Sequence, residues 1–171
     1  MSALLASVES VLQQGIMLLG KLDGESYRRK NSSDGSSLGA HYRHVLDHFS
    51  CVLDGIPVGQ INYDLRRRNL EIENSVTAAL MATEDLMRRF AALPLEVLRK
   101  QCLVIYSVGY GAETDQAVAS NIAREVAFCI GHAIHHYAIL KLLCAEKSME
   151  LPYEFGVAPS TLKHLQAQST H

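Results

Sequence analysis

The sequence predicts an all-α fold: a four-helix bundle with long connections, a short β-hairpin or extended excursion before the last long helix, and an ordered C-terminal tail. Three observations point there. Four long segments repeat apolar residues near a 3.6-residue period, the mark of helices with one buried face. Their connections are long and punctuated by Gly, Pro, Ser and Asn. The chain has 171 residues, the size of one domain, and such a chain buries roughly 70% of its unfolded surface without help from disulfides or a structural metal. Residues 1–171 are read as a single domain with a core over 1–147. The tail, 148–171, is expected to pack back on the bundle.

The first helix covers residues 3–22, with Leu4, Leu5, Val8, Val11, Leu12, Leu18 and Leu19 on one stripe. Residues 23–37 hold Gly24, Gly35, serines and a basic cluster at Arg28, Arg29 and Lys30, and read as a loop. The second helix starts at Ser36 or Ser37 as N-cap and ends at Asp54-Gly55-Ile56-Pro57, because Pro57 cannot continue it. A linker over 58–68 carries Asn62-Tyr63-Asp64 and then Arg66, Arg67 and Arg68. The third helix is expected over 69–92, with Leu70, Val76, Leu80, Leu86, Met87 and Phe90 on its apolar stripe. Leu93-Pro94 ends it.

Residues 101–119 are different: Cys102 to Tyr106 are β-branched and aromatic, and Gly109 and Gly111 follow, the pattern of the hairpin. The fourth helix is expected from Ser120, as N-cap, to Glu146. The tail places Leu151, Tyr153, Phe155 and Val157 among prolines and Gly156, and a short helix is expected over 160–168.

Charge excludes some functions. Sixteen Lys and Arg against eighteen Asp and Glu give a formal net charge of −2. That does not support bulk attraction to nucleic acid or an anionic membrane, so neither is expected as a partner. No basic, apolar leader pattern opens the chain and no run of about 18 uncharged apolar residues follows. The four cysteines, 51, 102, 129 and 144, are far apart among apolar neighbours. They read as reduced core thiols of a cytoplasmic protein rather than a zinc ribbon or redox pair.

Histidine is the outlier. Of eight histidines, six fall in two windows: His41, His44 and His48, then His132, His135 and His136. His44 and His48 lie four apart on the second helix, and His132 and His136 four apart on the fourth, so each pair shares one helix face. Such a pair presents two imidazoles to one metal ion, and bundles build metal sites from facing helices. A cluster of imidazoles in apolar surroundings is hard to satisfy by hydrogen bonds alone. His135 points off that face. His164 and His171 belong to the tail.

Ser37-Leu-Gly-Ala-His41-Tyr-Arg-His44-Val-Leu-Asp47-His48 and Gly131-His132-Ala-Ile-His135-His136-Tyr137 resemble the two histidine motifs of the DinB-like superfamily, over roughly residues 1–147. The resemblance implies a metal-binding four-helix bundle related to bacillithiol S-transferases. It implies His44, His132 and His136 as ligands of a divalent metal ion and makes a homodimer the expected assembly. Three neutral imidazoles leave an open position, the pattern of a catalytic site. All-imidazole ligation suits zinc or nickel, with copper and iron also compatible.

Around the ligands, His48 is a candidate fourth or supporting group and His41 a pocket group. Glu125, seven before His132, is a candidate to accept an imidazole N–H or act as a base. Asp47 is a candidate to orient His44 or to pair with an arginine. The Arg66–Arg68 run, with Tyr63 and Asp64, can gate the pocket, bind an anionic substrate or be only a solvated segment. No catalytic side chain is assigned. The leading functional expectation is a divalent-metal-dependent thiol S-transferase or hydrolase acting on a small molecule, with the thiol supplied by a low-molecular-weight compound. The alternative is a non-catalytic metal-binding or stress-related interaction protein of the same fold.

Overall fold

The computed structural model of the chain describes residues 2–31, 35–110 and 115–169. Helices dominate. In chain order they are α1 (Ala3–Leu19), α2 (Gly24–Arg28), α3 (Leu38–Gly55), α4 (Leu70–Asn74), α5 (Val76–Ala91), α6 (Ile122–Glu146) and α7 (Pro159–Gln168). A 3₁₀ turn follows α5 at Leu95–Arg99, and three strands are β1 (Gln60–Asn62), β2 (Gln101–Ser107) and β3 (Asp115–Asn121).

Side-chain caps explain where the helices begin. Ser2, Ser37, Ser75 and Asn121 each accept a hydrogen bond from a backbone N–H of the first turn of α1, α3, α5 and α6. Of the two serines expected to start the second helix, Ser37 does so. Ser120, expected to cap the last long helix, belongs instead to β3, and its neighbour Asn121 is the cap.

The four long helices pack so that α1 meets α5 and α6, and α3 meets the same two. Leu12, Leu18, Leu46, Phe49, Val52, Phe90, Val126 and Leu140 are buried between them. Within this core Tyr42 of α3 stacks on Tyr137 of α6, with centroids 6.4 Å apart and planes 9° apart. The Tyr42 hydroxyl meets Thr83 Oγ1 of α5 at 2.9 Å. Both tyrosines fit because α1 offers Gly15: a Cβ there would lie 2.4 Å from one hydroxyl and 2.5 Å from the other.

Three expectations are corrected. The segment 69–92 is two helices, because Ser75 leaves helical geometry (φ −131°, ψ 117°) to cap α5. Leu70 consequently lies exposed on α4 and not on a buried stripe. The segment 23–37 is more than loop: Asp23 caps α2, which buries Tyr27, and the Tyr27 hydroxyl donates to Ile72 O. The hairpin is present as antiparallel β2 and β3, but a third strand joins it, β1 from the linker pairing parallel with β2. The hairpin tip at Gly111 and residue His171 lie outside the described residues.

The tail folds back at Phe155, which is buried and stacks on Tyr137 at 5.0 Å. Gly156 permits this by its positive φ of 68° and by a close approach: a Cβ there would lie 2.5 Å from Ala138 N. Lys141 of α6 donates to the carbonyls of Pro152 and Tyr153. By length and composition α6 could cross a membrane. In this fold it buries Val126, Cys129, Ala133, Tyr137 and Leu140 and packs on α1 and α3.

Two glycines of α6 and its cover should respond oppositely to alanine. Gly156→Ala adds a left-handed backbone penalty to a steric clash and is expected to destabilise by about 2–4 kcal/mol. Gly131→Ala meets open space on a helix and should stabilise by about 0.5–1 kcal/mol. Urea unfolding midpoints check both; equal effects would contradict the tail packing described.

Candidate metal centre

α3 and α6 carry the histidine pairs and pack directly on each other. The Tyr42–Tyr137 stack sets their register one residue beyond His41 and His136, so the imidazole rows fall side by side. His44, His132 and His136 each offer a ring nitrogen, and these atoms all lie within 4.8 Å of one another. The Nε2 atoms of His44 and His132 are 2.9 Å apart. Two nitrogens bound to one tetrahedral zinc at about 2.05 Å would stand roughly 3.3 Å apart, so this pair is within about half an ångström of ligand spacing.

The remaining expected groups surround these three unequally. His41 places its Nδ1 3.3 Å from Nδ1 of His136, which leaves Nε2 of His136 for the centre. His48 is buried, and its Nδ1–H donates to the His44 carbonyl at 2.8 Å. That bond fixes the tautomer and leaves its Nε2 as an acceptor. The His48 ring sits 4.1 Å from that of His132 and stacks on Tyr63 at 5.2 Å. His48 is thus beside the triad without being in it. His135 is exposed on the outer side of α6.

Two expected supporting groups are engaged elsewhere. Asp47 is buried and pairs with Arg43 at 3.0 Å, and Arg43 also holds Glu73 of α4 at 3.1 Å. Of the two roles expected for it, pairing with an arginine is the one seen. Glu125 does not meet an imidazole. Its two oxygens accept from the hydroxyls of Tyr63 and Ser120. Those donors come from the linker and from β3, elements that no helix periodicity could have placed there. Cys129 is buried beneath Tyr63, and burial raises its thiol well above the usual range.

Burial also sets the charge of the cluster. It holds His44 down to about 2, His136 to about 3 and His48 to about 4, and lowers His132; repulsion from neighbouring imidazoles adds to it at each ring, and Arg66 adds to it at His44, His48 and His132. At neutral pH the rings are therefore uncharged, the form in which imidazole ligates a metal.

An open pocket of about 480 Å³ adjoins the cluster. His48 and Phe128 lie on the side of the pocket next to His132, and the rest of the lining combines Tyr63, Val104, Tyr106 and Val118 with the polar Asp64, Arg66, Ser120, Arg124 and Glu125. Phe128 stacks on His132 at 5.6 Å. The sequence had flagged Tyr63, Asp64 and Arg66 together, and all three line this pocket. It gave no sign of Phe128, Tyr106 or Ser120, which arrive through tertiary contacts.

No family model matches the sequence. The structure is similar to that of a DinB-like protein of Bacillus subtilis, YjoA, with a TM-score of 0.68 and 17% identity, over 90% of this chain and 99% of that one. The chain has a DinB-like fold. A stretch of 108 residues, 63% of the chain, is 32% identical to FK506-binding protein 5 of Rhizopus delemar, and it spans 28% of that protein's length.

The partly desolvated imidazoles make the metal-free protein acid-sensitive. Their folded pKa values lie below the ordinary 6.5, so below that pH the unfolded chain binds more protons and stability rises with pH. In chelator, stability should be flat above pH 7 and fall steadily from about pH 6.5 toward pH 4. Urea midpoints across that range check it. A His44→Gln, His136→Gln double variant should show a shallower fall.

Proposed function

We propose that the protein is a divalent-metal-dependent enzyme of the thiol S-transferase or hydrolase type, with His44, His132 and His136 as the metal ligands. The carrying observation is the convergence of those three ring nitrogens within 4.8 Å, from two helices, in uncharged form. Zinc and nickel suit the all-imidazole donor set best, and iron is compatible with it. Bound there, such an ion would lower the pKa of a thiol or water at its open position.

The chain's own residues supply the rest. His41 orients His136 through the ring nitrogen that the metal does not use, and such partners fix ligand tautomer and basicity. His48 presents its Nε2 between the triad and the pocket, where it can accept a hydrogen bond that orients an incoming ligand. The pocket admits a small molecule. Cys129 is too deeply buried to be the sulfur nucleophile, which supports a thiol brought in as a low-molecular-weight compound. The closed pattern of contacts among α1, α3, α5 and α6 supports reading the architecture as a four-helix bundle. A homodimer in the cytoplasm is the assembly and location that this reading favours.

Elemental analysis of protein loaded with zinc or nickel tests the ligand set. The wild type should hold about one equivalent. His132→Ala and His136→Ala should lose most of it, and His135→Ala should keep it. Equal metal in wild type and His132→Ala would refute the site. Turnover of a low-molecular-weight thiol with an electrophile, abolished by chelation and restored by the ion, tests the activity; a loaded protein without turnover would assign it a non-catalytic role.

A further inference from the structure

The pocket beside the triad has a charge arrangement that its function as a mere cleft does not explain. Both of its acids are occupied by protein donors. Glu125 takes the hydroxyls of Tyr63 and Ser120, and Asp64 takes the backbone N–H of Ser107 at 2.6 Å. Its two guanidiniums are not matched. Arg66 and Arg124 line the pocket, and among the described residues neither forms an ion pair.

Arg66 is the more constrained. One of its terminal nitrogens donates to the Tyr63 carbonyl, which anchors the side chain across the linker. Its Nε is buried with no hydrogen-bond partner. A buried N–H left unmade is costly, more so on a charged group. Burial lowers the Arg66 pKa and repulsion from Arg68 adds to this, while Asp47 and Asp64 offset part of it without forming an ion pair with the guanidinium. Arg66 shares the pocket lining with His48, whose ring lies 4.1 Å from that of His132, so the guanidinium faces the same space as the edge of the cluster. The apolar and aromatic part of the lining is Tyr63, Val104, Tyr106, Val118 and Phe128.

We infer that this pocket binds a small organic anion, with an apolar or aromatic body against Phe128, Val104 and Val118 and a carboxylate, sulfonate or phosphate on Arg66. Arginine presents a fork of donors matched to such groups, and a pocket of about 480 Å³ is of the size that holds a drug-sized ligand. The inference rests on the proposed function only for orientation: with the anion on Arg66, the other end of the ligand faces His48 and the triad. Arg66 is a specificity residue in this scheme, and Arg124, on the exposed first turn of α6, adds general attraction at the mouth.

Two dyes with the same body test it. 8-Anilinonaphthalene-1-sulfonate carries one anion, and N-phenyl-1-naphthylamine carries none. Fluorescence titration of the full chain should give one saturable site for the anionic dye. Arg66→Ala should weaken the anionic dye about tenfold or more, the loss of a charge-assisted contact, and change the neutral dye less than about twofold. Arg66→Lys should recover part of the loss. Phe128→Ala should weaken both dyes. Thermal unfolding of each variant confirms that it is folded. Titrations with chelator and with added zinc separate this inference from the metal reading: Arg66-dependent binding that persists in a protein unable to hold metal leaves the anion pocket standing and removes the metal. Equal loss of both dyes in Arg66→Ala, unchanged binding of the anionic dye, or binding that ignores both Arg66 and Phe128 overturns the inference.

Discussion

α3 and α6 press two rows of histidine against each other, and most of the molecule can be understood as the means of doing so. Imidazoles inside a protein need partners, and a protonated ring there is expensive. Here the rings partner one another: His44 with His132, His41 with His136, and His48 with the carbonyl one turn before it. Such an arrangement tolerates little slippage, since a shift of one residue would rotate each ring by about 100° off the shared face. The Tyr42–Tyr137 stack, seated against Gly15 and tied to Thr83, holds that register from inside the core. Phe155 then covers Tyr137 from the other side.

The small sheet does a different job. β1 and the linker after it bring Tyr63, Asp64 and Arg66 beside His48 of α3, while β3 brings Ser120 to Glu125. Tyr63 joins the two systems. Its ring stacks on His48, and its hydroxyl donates to Glu125. The histidine cluster and the adjoining pocket therefore share one wall.

How much of this the sequence revealed depends on the range of the interaction. Helical periodicity marked the four long helices, and the four-residue spacing of His44/His48 and His132/His136 marked the cluster, because both are local consequences of helix geometry. The break at Ser75 was hidden, since the apolar pattern continues across it and only the cap geometry interrupts the helix. The parallel pairing of β1 was hidden because a three-residue strand has no period of its own and depends on β2, some forty residues away. Glu125 was singled out for the right face of α6 but the wrong partner: its spacing to His132 is a helix property, whereas Tyr63 and Ser120 reach it from other elements. Asp47 shows the same limit. Whether it turned to His44 or to Arg43 was a question of rotamer and of Glu73 on α4, which no spacing within one helix decides.

The central claim is that one ion sits among the ring nitrogens of His44, His132 and His136. Anomalous diffraction from crystals of the zinc-loaded protein, with data on both sides of the zinc absorption edge, tests it most directly. The account predicts a single strong peak within about 2.1 Å of one nitrogen from each of those three rings, with His48 outside bonding distance. A peak ligated by His48 in place of His44, or no peak between α3 and α6 in crystals of protein exposed to excess zinc, would contradict it.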